Sequence, residues 1–147
     1  MLTLQYSYFA LRSEVLSARV IADRLRLEPD EVLVLGSRRP EHRIPRYHSW
    51  KLVRRGHESV DEQIQHIVDR LAPVRDNLIA VATDPEVVPV MQVVRYFHHE
   101  DGVEKPRDAS APGDPRPLGW NLSAEVLGFL AATGASLDVD EYDLGDE

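Results

Sequence analysis

Residues 2–12 read LTLQYSYFALR. Leu2, Leu4, Tyr6, Tyr8 and Ala10 alternate with Thr3, Gln5, Ser7, Phe9 and Leu11. Successive side chains of a strand point to opposite faces, so this period of two predicts a β-strand. One of the two faces is apolar enough to sit on a core. Helix signals follow at once in SARVIADRLRLEP: Ser17 is an N-cap, Val20, Ile21 and Leu25 form a stripe, and Pro29 lies beyond the end. A helix is expected over 18–26.

The rest of the chain repeats this alternation of periods. Glu31 to Leu35 is short and apolar on both faces, which predicts a buried strand ending at Gly36. Trp50 to Arg55 alternates again, with Trp50 and Leu52 opposed to Lys51 and Val53. Ser59 and Glu62 form a capping box before the stripe Val60, Ile64, Ile67, Val68 and Leu71. Pro73 should split that helix, because a proline inside a helix removes a hydrogen bond and clashes with the preceding turn. Val87 to His98 is the longest strand candidate, with Pro89 expected at an edge or bulge. Ser123 caps a last helix that Gly134 should end in a left-handed conformation, and Leu137 to Asp140 alternates as a final strand.

The order is strand, helix, strand, strand, helix, strand, helix, strand. It predicts an α+β fold: a mostly antiparallel sheet with helices packed on one face, and it permits a ferredoxin-like β-α-β-β-α-β plait. Residues 1–147 read as a single domain. Residues 99–119 are rich in proline, glycine and charge, which predicts a flexible loop. Residues 143–147 form an acidic tail.

Composition narrows the function. The chain carries no cysteine, which excludes disulfides, thiolate metal sites and a cysteine nucleophile and suits a reducing cytoplasm. No basic leader precedes an apolar run, and no run approaches the ~20 residues of a membrane helix. The formal charge of −8 opposes contact with nucleic acid or an anionic membrane. No G-x-S-x-G, G-x-G-x-x-G, phosphate-binding loop or H-x-x-x-H occurs, so no catalytic residue, cofactor or metal is expected. His98 and His99 are strand neighbours that point apart.

The charge is unevenly spread. Gly36 to Gly56 holds seven of the seventeen Lys and Arg residues and a single acid, Glu41. Six of the seven are Arg, whose planar fork suits carboxylate and phosphate. Asp138 and Asp140 share one strand face ~6–7 Å apart. Pairing between Arg38, Arg39, Arg43 and Arg46 and these two acids is the simplest account of both clusters. Trp50 begins an alternating strand and reads as core. Trp120 follows the loop and reads as a surface or pocket aromatic.

Five stretches carry a resemblance: YFALRS, SARVIADRLRLEPD, Gly36 to Trp50, SVDEQIQHIVDRLAPV, and NLSAEVLGFLAATGASLDVDEYD. Together they resemble the bacterial family called domain of unknown function 4279, over most of the chain. The resemblance implies a small, soluble bacterial protein and carries over no activity and no site residue. Two functions then fit. The first is a cytoplasmic, non-enzymatic module that binds a protein partner through the basic segment and the 99–119 loop. The alternative is an anionic-ligand site or enzyme in which the Arg-rich 38–55 segment works with Asp138 and Asp140. Arg38, Arg39, Arg43, Arg46, Trp50, Trp120, Asp138 and Asp140 are the candidate binding residues. A pocket that gathers them would favour the second function.

Overall fold

The structure is a computed structural model that describes residues 2–39, 43–98 and 118–145. Most of the expected loop, part of the basic segment and the end of the acidic tail lie outside the described residues. The elements are β1 (Leu2–Ser13), α1 (Ala18–Leu25), β2 (Glu31–Leu33), β3 (His48–Arg55), α2 (Val60–Leu71), a 3-10 turn (Ala72–Val74), α3 (Arg75–Ala82), β4 (Val88–His98), α4 (Ala124–Thr133) and β5 (Ser136–Asp143).

Local chemistry sets the helix ends. The side chains of Ser17, Ser59 and Ser123 accept from the backbone N–H of Val20, Glu62 and Val126 respectively. Each satisfies an amide that the first helical turn leaves without a partner. Pro73 sits in the 3-10 turn that separates α2 from α3. Gly134 ends α4 at φ 68°, where a residue without a Cβ is favoured. Arg26 ends α1 at φ 60° without being glycine.

The sheet order is β2-β3-β1-β4-β5. Strand β1 is antiparallel to β3 and β4, and β2 is antiparallel to β3. Each early β-α-β unit is therefore split by an intervening antiparallel strand, which is the ferredoxin-like plait. Helix α4 is the crossover that lets β5 pair parallel to β4. Pro89 lies in β4 beyond the start of β5, whose pairing begins at Val90. Pro89 therefore falls where β4 is paired on its β1 side, with Leu11, and the pairing with β5 has not yet begun.

One face of the sheet carries the helices. The core cluster takes Phe9, Leu11, Trp50, Leu52, Met91 and Val93 from the strands and packs them against all four helices. The face of β1 that meets the helices holds Ser7, Phe9 and Leu11, and the Tyr6, Tyr8 and Ala10 face points away from them. One expectation needs correction. Strand β2 is an exposed edge rather than a buried strand, with Val32 49% exposed. Among the described strands it pairs with β3 alone.

A polar network explains why a face with Gln5 and Ser7 can be buried. Ser7 donates to Gln63 Oε1 at 3.0 Å, and Gln63 Nε2 donates to the carbonyl of Gln5 at 3.2 Å. Gln5 Nε2 donates to the carbonyl of Glu58 at 2.9 Å, and Arg95 Nε donates to Gln5 Oε1 at 3.2 Å. Buried polar groups cost little when each finds a partner, and these do.

Candidate functional site

Two surfaces gather charge and aromatic groups without being covered by the helices. The first is the β2–β3 hairpin. Its two arms are tied by Gly36 N–H to the Pro45 carbonyl at 3.0 Å and by Leu35 N–H to His48 Nδ1 at 3.1 Å. Arg38, Arg39, Arg43 and Arg46 lie exposed on it. So do Val32, Val34, Leu35 and Ile44, the last 53% exposed. Among the described residues none of the four arginines pairs with an acid.

The second surface is the helix-free face of the sheet. Register places Tyr6, Tyr8 and Arg12 of β1 beside Lys51, Val53 and Arg55 of β3 and Gln92, Val94 and Tyr96 of β4. Beyond these come Asp138, Asp140 and Tyr142 of β5. All five tyrosines of the chain gather here or at its border. Tyr6 and Tyr8 stack at 6.3 Å between centroids, and Tyr96 stacks on its cross-strand partner Tyr142 at 5.1 Å. Three cations lie over tyrosine rings: Lys51 over Tyr8 at 4.6 Å, Arg12 over Tyr47 at 5.0 Å and Arg55 over Tyr6 at 5.2 Å.

Burial tunes this face. It pushes the Lys51 ammonium below its ordinary value; Glu31 opposes this, while Arg12 and Arg55 add to it. Burial also pushes the Tyr8 phenol up, against the nearby Arg12. Among the described residues, Arg12 Nε and Ser49 Oγ are buried with no hydrogen-bond partner.

The candidates read from sequence separate into three places. Trp50 is fully buried, and its indole N–H donates to the Leu27 carbonyl at 3.2 Å, so it serves the core. Trp120 packs half-buried against the same core. Asp138 and Asp140 are exposed on β5, where Asp140 accepts from Gln92 at 3.1 Å. The expected pairing of these acids with the hairpin arginines is not what the fold builds. The hairpin springs from β2 and β3 at one edge, and β5 is the other edge. Three to four strand spacings, roughly 14–19 Å, separate them. Arg54 and Arg55 of the same basic segment are instead balanced locally, by Glu58 and by Glu31, the latter at 2.8 Å. Sequence reasoning missed Arg12, Tyr8, Tyr47 and Ser49. Their signal is the cross-strand register, which alternation within one strand does not contain.

Among the described residues no group of three or more His, Asp or Glu has metal-holding geometry, and no helix is long and apolar enough to cross a membrane. A depression of about 430 Å³ around Ala72 to Asn77 lies at the α2–α3 junction and includes none of the eight candidates. No curated protein and no solved structure matches the chain. One family does, and its reach agrees with a fold whose five strands span nearly the whole sequence: residues 3–144 match the Domain of unknown function (DUF4279), and the chain belongs to that family.

Proposed function

We propose that the protein is a non-enzymatic binding module of the cytoplasm, and that the β2–β3 hairpin is where a protein partner docks. One observation carries this reading. Four exposed branched aliphatic residues, Val32, Val34, Leu35 and Ile44, share a hairpin with the exposed Arg38, Arg39, Arg43 and Arg46. Arginine beside exposed aliphatic surface is the composition of a protein interface, whereas a solvated charge run needs no aliphatic residues. Among the described residues the candidates lie at separate places in the fold, with the arginines on the hairpin, Trp50 in the core and the two acids on β5, and a flat partner surface needs no convergence. The arginines call for acidic groups on the partner, and the aliphatics for an apolar patch beside them.

Affinity capture from the source cell tests this with three baits: the wild type, Ile44→Asp with Val34→Asp, and Arg19→Ala with Asp23→Ala on the exposed side of α1. The expected result is a stoichiometric partner held by the wild type and the α1 variant and lost by the hairpin variant. A partner retained by the hairpin variant would place docking elsewhere.

A further inference from the structure

A second pair of cations lies away from the basic hairpin, on the helix-free face of the sheet. Arg12 faces Ser49 across β1 and β3, and Lys51 faces Ala10 two residues away. The two cations are thus diagonal neighbours, whose backbones lie ~7–8 Å apart. Arg12 brings five N–H donors and Lys51 three. Among the described residues, the acceptor they reach is the Tyr8 hydroxyl, at a long 3.4 Å from Arg12 Nη2. Arg12 Nε and Ser49 Oγ are buried and find no hydrogen-bond partner among the described residues. The acid nearest by register, Glu31, is held by Arg55 at 2.8 Å.

Two like charges side by side repel, and tyrosine rings offset this only in part. A cation over a ring gains attraction but no directional acceptor for its N–H groups. A buried donor without an acceptor is costly, so such a group in a native fold calls for an explanation. A small anion meeting the Arg12 Nη groups and Lys51 Nζ would accept from both and cancel the repulsion between them, while Arg12 Nε and Ser49 Oγ stay behind it out of solvent reach.

We propose that Arg12, Lys51 and the Tyr8 hydroxyl form a binding site for a compact oxyanion of the phosphate class, bordered by Ser49 and Tyr47. The donors come from two strands and from three different side-chain groups. A tetrahedral oxyanion offers oxygens in several directions, whereas a carboxylate offers two in one plane that suit a single arginine fork. The site is distinct from the hairpin and stands or falls separately from the partner reading.

Isothermal titration calorimetry of the full chain with inorganic phosphate tests the site. Saturable one-to-one binding is expected. Lys51→Gln and Arg12→Gln should each weaken it about tenfold or more, because each removes charge-assisted hydrogen bonds. The Arg38, Arg39, Arg43 and Arg46 to Ala variant should keep the wild-type affinity. Circular dichroism checks folding, and Lys51→Gln keeps the test alive if Arg12→Gln fails to fold. Phenyl phosphate separates a phosphoryl group on a larger molecule from the free ion: tighter binding of the ester assigns the first, tighter binding of phosphate the second, and both support the site. No saturable binding, an adventitious ion only, equal binding by Lys51→Gln, loss of binding in the quadruple variant, or acetate binding as tightly as phosphate would each overturn the proposal.

Discussion

The two faces of β1 are made of similar amounts of apolar and polar matter and meet different fates. Gln5, Ser7, Phe9 and Leu11 face the helices, while Leu4, Tyr6, Tyr8, Ala10 and Arg12 face away. Counting apolar side chains selects the second set as the core face. The structure selects the first because Gln63, fully buried on α2, satisfies Ser7 and the Gln5 backbone. On the helix-free face the tyrosines stack on one another and receive cations instead. The difference teaches that a core face is chosen by whether its polar groups can be partnered, as much as by its apolar area.

The comparison breaks most readily at Trp50. Trp50→Ala should cost about 3–5 kcal/mol, since it opens a large cavity in the helix-facing layer. Tyr6→Ala on the other face should cost clearly less in the same denaturant melts, and equal losses would mean that both faces are core. Gln63→Ala comes next, at about 1–3 kcal/mol, because it strands the Ser7 hydroxyl and a backbone carbonyl. Adding Ser7→Ala to Gln63→Ala should cost less than the separate losses combined, as for partners in one network.

Gly134→Ala should cost about 1 kcal/mol. An added Cβ would meet nothing within 4 Å, so the loss is backbone strain at φ 68° and not a clash. A neutral result in urea melts would show that α4 tolerates another ending. Asp30 gives a smaller effect that depends on pH. Burial pushes its carboxyl up, but Arg70 and the Val53 N–H together hold it below the ordinary value. Its folded value is depressed, so its contribution is present above the ordinary carboxylate range and is lost as pH falls through the folded value. The pair is partly exposed, which limits the contribution to under about 1 kcal/mol. Asp30→Asn should flatten the acid side of the stability profile below about pH 4, relative to wild type.

Elements and their ends were legible because their signals are local. Ser17, Ser59, Ser123, Pro73 and Gly134 each act within one or two turns, and all behave as their chemistry dictates. The face of β1 was not legible, because the decisive residue, Gln63, lies 56 positions from Ser7. The exposure of β2 was hidden too: Glu31 to Leu35 reads as buried by composition, and only the strand order makes it an edge. Of the candidate residues, Arg38, Arg39, Arg43 and Arg46 were visible as a charge run. Arg12 was not, since an isolated arginine at a strand end carries no signal until β3 brings Lys51 and Ser49 alongside it.

The smallest expected effect concerns the two edges of the sheet. A +6 segment inside a chain of net −8 invites the idea that basic and acidic clusters pair with each other. The strand order forbids it, placing the hairpin on the β2–β3 side and Asp138 and Asp140 on β5. At roughly 14–19 Å, beyond one screening length at physiological salt, exposed charges barely interact. A double-mutant cycle between the four hairpin Arg→Ala changes and Asp138→Asn with Asp140→Asn should therefore give a coupling energy within about 0.5 kcal/mol of zero. Each half alone should change stability little, and lowering the salt should not reveal a larger coupling than weak long-range attraction supplies. A coupling of 1 kcal/mol or more would require the clusters to touch, which they do not do with β3, β1 and β4 lying between the two edges. It would mean that the hairpin folds across the sheet, and the docking surface assigned to it would then be occupied by the protein's own acids.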